Sequence, residues 1–281
     1  MSNPSEIKII DCPRDAIQGR TSIIRPEKKI AHINKLIKSN LFEYIDFGSF
    51  VSDKAVPQMQ DTSYVVHGIE KINNTKLLTV VANTKGALHA KAFEEIDYLG
   101  YPFSISETFQ KRNTNSSIDK SFHTVEEILS TIASNHQELV IYISMAFGNP
   151  YGEAWSEDLV LIWVDKLKDL GIKRFSIADT TSEATVIGVN SLFKNLFKEF
   201  PHLDFSAHLH STTDQALEKI NAAYEGGCRR FEGAMMGFGG CQFAQDELVG
   251  NIPTEILLNR FYIGTPIDIN KLKISFFEMI S

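Results

Sequence analysis

RFSIADT (174–180) and DFSAHLH (204–210) are two short β-branched and aromatic runs, and the segment between them, 181–203, spaces its apolar residues as a helix does. Strand, helix, strand on this scale is one parallel crossover unit. Working outward, the same beat recurs in IKIID (7–11), YIDFGS (44–49), LLTVVAN (77–83), YPFSIS (101–106), LVIYISM (139–145) and RFEGAMM (230–236), with starts roughly 25–40 residues apart. Parallel strands joined this way need helices over their outer face. Eight such units close naturally into a (β/α)8 TIM barrel, an α/β fold that here forms one domain over residues 1–281. An open doubly wound sheet is the competing arrangement of the same alternation.

The helical segments carry their own punctuation. Ser156 is placed to cap a helix running to Leu170, with Leu159, Ile162, Trp163 and Leu167 as its apolar stripe and Gly171 as the left-handed stop. Asp214–Glu225 puts Leu217, Ile220, Ala223 and Tyr224 on one face before Gly226 and Gly227. The segment from Pro253 supplies the eighth helix and a short tail.

Composition narrows the function. With 28 Lys+Arg against 35 Asp+Glu and a formal charge of -7, the chain lacks the basic surface of a nucleic-acid binder. No apolar run approaches the ~20 residues that span a bilayer. The first residues have neither signal-peptide nor transit-peptide character. Cys12, Cys228 and Cys241 form no disulfide pattern, which suits a reducing compartment. Together these features predict a cytoplasmic protein.

In a barrel the reactive groups belong at the C-terminal ends of the strands. The seventh run ends in His208-Leu209-His210, and positions i and i+2 of a strand face one way, so the two imidazoles form a ready pair of ligands for a divalent metal. Two hydrogen-bonded histidines without a metal fit an isolated H-x-H equally well. The first run ends in Cys12-Pro13-Arg14-Asp15. Arg14 and Asp15 alone read as a simple ion pair; beside H-x-H, Asp15 becomes a candidate third ligand and Arg14 a cation aimed at developing negative charge. Gly237-Phe238-Gly239-Gly240-Cys241 reads either as a turn with an incidental thiol or as a mobile loop bringing a proton donor to the substrate. Asp46 and Ser49 lie on the second run, and Ser176, Asp179 and Thr180 on the sixth. Asn251 and Glu255 open the last helical segment. The remaining histidines (His32, His67, His89, His123, His136, His202) fall in helices or loops and read as surface or capping residues.

These residues resemble 3-hydroxy-3-methylglutaryl-CoA lyase, one of the barrel metallolyases that include the isopropylmalate synthases. The likeness spans nearly the whole chain. It rests on Pro13-Arg14-Asp15 with Gln18, Ser49-Phe50-Val51-Ser52 with Pro57-Gln58-Met59, and Ser106-Glu107 with Asn113. It continues through Gly148-Asn149-Pro150-Tyr151, Asp179-Thr180, the H-x-H pair, the glycine-rich cysteine loop and Gly250-Asn251. Motifs in this order are specific where none alone would be. The resemblance implies a divalent metal, Mg²⁺ or Mn²⁺, held by Asp15, His208 and His210 with Asn251 as a weaker fourth ligand. It further implies Arg14, Asp15, Asp46, His208 and Cys241 as catalytic groups, and Gln18, Ser49, Tyr151, Ser176, Asp179 and Thr180 as substrate contacts. The implied reaction cleaves an acyl-CoA substrate to acetyl-CoA and acetoacetate. Leucine degradation is the family's usual setting, and a homodimer its common assembly.

Departures stand beside the likeness. Asp46 replaces a usual Glu, one methylene shorter, which puts its reach to Arg14 in question. Ser211 replaces the Asp that usually follows H-x-H and so weakens the support of the ligands. Glu232 replaces an Asp, Gln242 replaces a Pro, and Glu183 adds an anion to the loop after Asp179-Thr180. The alternatives are therefore a related lyase or condensing enzyme acting on another 3-hydroxyacyl-CoA or hydroxy-oxo acid, and a scaffold barrel without catalysis.

Overall fold

A computed structural model describes residues 7–240, 249–263 and 267–281. Eight parallel strands close on themselves, each hydrogen-bonded to the next and the last to the first. They are β1 (Lys8–Asp11), β2 (Tyr44–Phe50), β3 (Lys76–Val81), β4 (Tyr98–Ser104), β5 (Glu138–Ser144), β6 (Arg174–Ala178), β7 (Asp204–His208) and β8 (Arg230–Gly233). The helices among the described residues are α1 (Pro13–Gln18), α2 (Pro26–Ser39), α3 (Thr62–His67), α4 (Thr84–Ala90), α5 (Glu107–Thr114), α6 (Ile118–Ile132), α7 (Glu157–Asp169), α8 (Val186–Glu199), α9 (Ala216–Glu225), α10 (Thr254–Phe261) and α11 (Ile269–Ile280). The barrel expectation holds, and the open sheet is excluded by the pairing of β1 with β8.

Alternation along the strands makes two cores. Side chains pointing outward meet the helices in one large apolar layer. Those pointing inward form a smaller plug of Ile10, Cys12, Tyr44, Leu78, Tyr98, Val140 and Tyr142. At the N-terminal mouth an ion-pair chain ties the strand starts together: Glu43 pairs with Lys8 and Arg230, Asp204 with Arg230 and Arg174, and Arg174 with Glu138. This end of a barrel contributes stability, and the opposite end is left for chemistry.

One irregularity shapes that opposite end. The β2–β3 register shifts between Asp46 and Gly48, so that Asp46 sits beside Leu78 and Ser49 beside Val80. Leu78 and Val80 both face the interior. The bulge therefore turns Asp46 and Ser49 to the same side, although their spacing of three would place them on opposite faces of a regular strand.

Several local expectations are corrected. The fourth strand begins at Tyr98 rather than Tyr101, and the last ends at Gly233 rather than running to Met236. In α7, capped by Ser156 as expected, the fully buried stripe is Val160, Val164 and Leu167. Leu159 and Trp163 flank it while Ile162 is exposed, because the helix presents to the barrel the face one position further on. Gly171 takes the expected left-handed conformation, φ +96°. α9 buries Ile220 and Ala223 but exposes Leu217 at its start. The segment after Pro253 folds as two helices, α10 and α11, and α11 packs on α2. His32 is not a surface residue: it is buried on α2 with Nδ1 3.0 Å from Ser275 Oγ, and burial pushes its pKa down to about 3. Among the described residues no helix is long and apolar enough to cross a membrane.

Candidate active site

A cavity of about 430 Å³ opens at the C-terminal end of the strands, where Arg14, Asp15, His208 and His210 meet. Asp15 arrives on the first turn of α1, which begins at Pro13 immediately after β1. His208 ends β7, and His210, two residues on, forms an isolated antiparallel bridge with Asn251. One ligand atom each of Asp15, His208 and His210 lies within 4.8 Å of the others.

Each group is held from behind. The Asp15 Oδ1 accepts from Gln18 Nε2 (2.6 Å) and an Arg14 N–H (3.0 Å), and Oδ2 accepts from Asn251 Nδ2 (2.6 Å). Burial works against the charged form of Asp15, but Arg14, His208 and His210 hold its carboxyl below the usual range. Nδ1 of His208 lies 2.8 Å from Glu232 Oε2, while Glu232 Oε1 accepts from Ser206 Oγ at 2.5 Å. Burial disfavours the His208 imidazolium, but the Glu232 carboxylate overrides it and raises the pKa. His210 donates Nδ1–H to the main-chain oxygen of Asp179 (2.9 Å). Burial, then the neighbouring His208, lowers its pKa to about 4, so the imidazole is neutral at pH 7. Its Nε2 is buried and has no hydrogen-bond partner.

Arg14 is the fixed cation. Its Nε–H reaches both Asp46 oxygens (3.2 and 3.1 Å), a terminal N–H reaches Asp46 Oδ2 (2.5 Å), and another reaches Gln18 Oε1 (3.0 Å). Asp46 thus reaches Arg14 fully despite its shorter side chain. Burial, only partly offset by Arg14, raises the Asp46 pKa to about 6. The Arg14 guanidinium faces two buried carboxylates, Asp15 and Asp46, while Glu232 is paired with His208. The donor set of one carboxylate and two imidazoles, with an orphaned Nε2 among them, fits a divalent metal.

The other expected residues divide. Gln18, Ser49 and Thr180 line the cavity, and the buried Ser49 Oγ has no partner. Thr180 also accepts the Met145 N–H (2.9 Å). Ser176 is fully buried on the inward face of β6, next to Ser206, and does not line the cavity. Asp179 is turned away from the cavity, with its carboxylate 2.8 Å from Lys219 Nζ on α9. Tyr151 stands one residue back from the cavity wall, its ring 4.9 Å from the Arg112 guanidinium, which does line it. Asn251 turns its amide nitrogen to Asp15 and to the Phe238 oxygen (2.9 Å). Ser211 donates to the Thr212 oxygen and touches neither imidazole. The support expected from that position comes instead from Glu232 and, around His210, from Asp179 and Lys219. Glu183 is exposed and does not line the cavity. Cys241 and Gln242 lie outside the described residues. The glycines before them pack on the backbone at the start of α1, where a Cβ on Gly239 (φ +94°) would stand 2.4 Å from the Asp15 main-chain oxygen. Only glycine permits that approach.

Sequence reasoning missed Tyr142, Arg112 and Lys219. Tyr142 lines the cavity with a buried, unpartnered hydroxyl, and alternation with Val140 and Ser144 on the fifth run could have placed it inward. Nothing in the spacing of Arg112 or Lys219 singles them out.

Residues 6–273 match the HMGL-like family. The chain belongs to that family. It is 32% identical to the cytoplasmic 3-hydroxy-3-methylglutaryl-CoA lyase of Rattus norvegicus, over 96% of this chain and 79% of that protein. It is also 32% identical to the mitochondrial hydroxymethylglutaryl-CoA lyase of Macaca fascicularis, over 96% of this chain and 83% of that one. An HMG-CoA lyase from Acenitobacter baumannii, solved in complex with coenzyme A and 3-methylmalate, superposes with a TM-score of 0.88 at 31% identity, covering 98% of this chain and 91% of the other. As a member of the HMGL-like family the chain is a carbon–carbon lyase.

Proposed function

We propose that this lyase cleaves 3-hydroxy-3-methylglutaryl-CoA to acetyl-CoA and acetoacetate, and that Asp15, His208 and His210 hold the Mg²⁺ or Mn²⁺ it requires, with Asn251 beside them. The observation that carries the reading is the convergence of these three side chains, from the end of β7, the segment just after it and the start of α1, around a buried and unpartnered His210 Nε2. When bound, the dication supplies Lewis-acid polarisation of the substrate hydroxyl and carboxylate oxygens.

The chain's own groups account for the rest. Asp15 lines the cavity with a carboxylate able to accept the C3 hydroxyl proton. As the hydroxyl oxygen becomes the ketone of acetoacetate, the C2–C3 bond breaks and its electron pair passes to the acetyl-CoA enolate. Arg14, immobilised by Asp46 and Gln18, faces the thioester oxygen that takes up this charge and need not reorganise as it does so. The Cys241 thiol returns a proton to C2. Gln18, Ser49 and Thr180 line the substrate cavity, and Arg112 at its wall offers a cation to the anionic coenzyme. A cytoplasmic setting is supported by the buried free thiols Cys12 and Cys228.

The deciding assay supplies purified protein with Mg²⁺ or Mn²⁺ and hydroxymethylglutaryl-CoA and follows acetoacetate. Formation abolished by a chelator and restored by the ion supports the reading. No acetoacetate under any metal refutes the substrate, and chelator-insensitive turnover refutes the metal.

A further inference from the structure

Lys219 projects from α9 toward the ends of β6 and β7 and is only 4% exposed. Its ammonium uses all three donors: Asp179 Oδ2 at 2.8 Å, Ser182 Oγ at 3.0 Å and the His210 main-chain oxygen at 2.9 Å. Ser182 Oγ donates to that same His210 oxygen at 3.0 Å. His210 closes the ring by donating Nδ1–H to the Asp179 main-chain oxygen. Ser182 holds a left-handed backbone, φ +59°, that a non-glycine residue adopts only when its surroundings over-determine it. The ring thus fixes His210 through both its backbone and its Nδ1, leaving Nε2 as the free polar atom.

We propose that Lys219 is a positioning residue for the cation site. By clamping Asp179 to the His210 carbonyl it sets the direction of His210 Nε2 and withdraws the Asp179 carboxylate from the cavity. The inference rests on the reading of Asp15, His208 and His210 as ligands.

The test measures Mn²⁺ affinity without substrate, from the electron-spin-resonance signal of the free ion. Lys219→Met alone strands the Asp179 carboxylate in the interior and is expected to be strongly destabilised. The informative protein is Lys219→Met/Asp179→Asn, which removes both charges and keeps an acceptor for the Ala184 N–H. The expected result is a Kd for Mn²⁺ raised about 10–100-fold while the double variant melts within a few degrees of the parent. Equal Kd values in parent and double variant overturn the role of Lys219 and leave the ligand reading standing. A parent that binds no Mn²⁺ overturns both.

Discussion

Glu232 Oε2 lies 2.8 Å from His208 Nδ1, inside the barrel and shielded from water. The contact directs the Nδ1 proton to the carboxylate and turns the other ring nitrogen toward the cavity, the arrangement by which carboxylates commonly orient metal-binding imidazoles. Glu232→Gln keeps the volume and removes the charge. It is expected to weaken Mn²⁺ binding about 10–100-fold with the fold intact, read by Mn²⁺ titration beside circular dichroism. Parental affinity would show that the pair does not orient His208.

Arg14 grips Asp46 through two of its nitrogens. Lysine cannot reproduce that fork. Arg14→Lys is expected to lower kcat for acetoacetate formation by about 10²–10³-fold, with KM changing much less, because the lost contact acts on charge that develops in the transition state. A variant that raises KM alone would make Arg14 a binding group.

Cys241→Ala and His208→Ala separate the proton donor from the ligand set. The first is expected to abolish nearly all turnover and leave Mn²⁺ affinity close to the parent's; the second damages both. Retained activity in Cys241→Ala would remove the thiol from the chemistry.

Asp11 titrates far from its ordinary range. It faces outward from β1 under α10, fully buried, with Thr254 Oγ1 as its hydrogen-bond donor and Oδ2 unpartnered. Burial, partly offset by Thr254, raises its pKa from 3.8 to about 7. Between these values the folded chain binds the additional proton, so stability is highest at low pH on this account and falls as pH rises from about 4 to about 7. Asp11→Asn cannot ionise. It is expected to be more stable than the parent at pH 8, by at most about 4 kcal/mol, and nearly equal at pH 4. Thermal melts at the two pH values check this, and a variant less stable at pH 8 would contradict it.

How far the sequence reached differs between the fold and the site. The eight runs marked the strands because inward and outward faces both exclude water, and apolar β-branched residues recur wherever a strand is buried on both sides. Run ends were less secure: Tyr98 and Gly100 fall before the fourth run, yet neighbouring strands draw both into the sheet. His208, His210 and Asp15 were legible because chemistry clusters at strand ends and the H-x-H spacing has a direct geometric meaning. Asp179 was not. Its place in a motif marked it as a substrate contact, while its orientation is set by Lys219, 40 residues further along the chain. Ser49 joins Asp46 on one face only through a bulge, which no spacing rule anticipates.

By itself, then, the amino-acid order determined eight strand-and-helix units, since local periodicity repeated eight times, and it named the ligand and cation candidates; closure into a barrel is decided by the pairing of β1 with β8. Only the tertiary structure decided which polar groups face the cavity and which are spent holding others in place. Hydrogen bonds and ion pairs between distant segments choose among side-chain directions that the local backbone leaves equal, and no pattern along the chain records that choice.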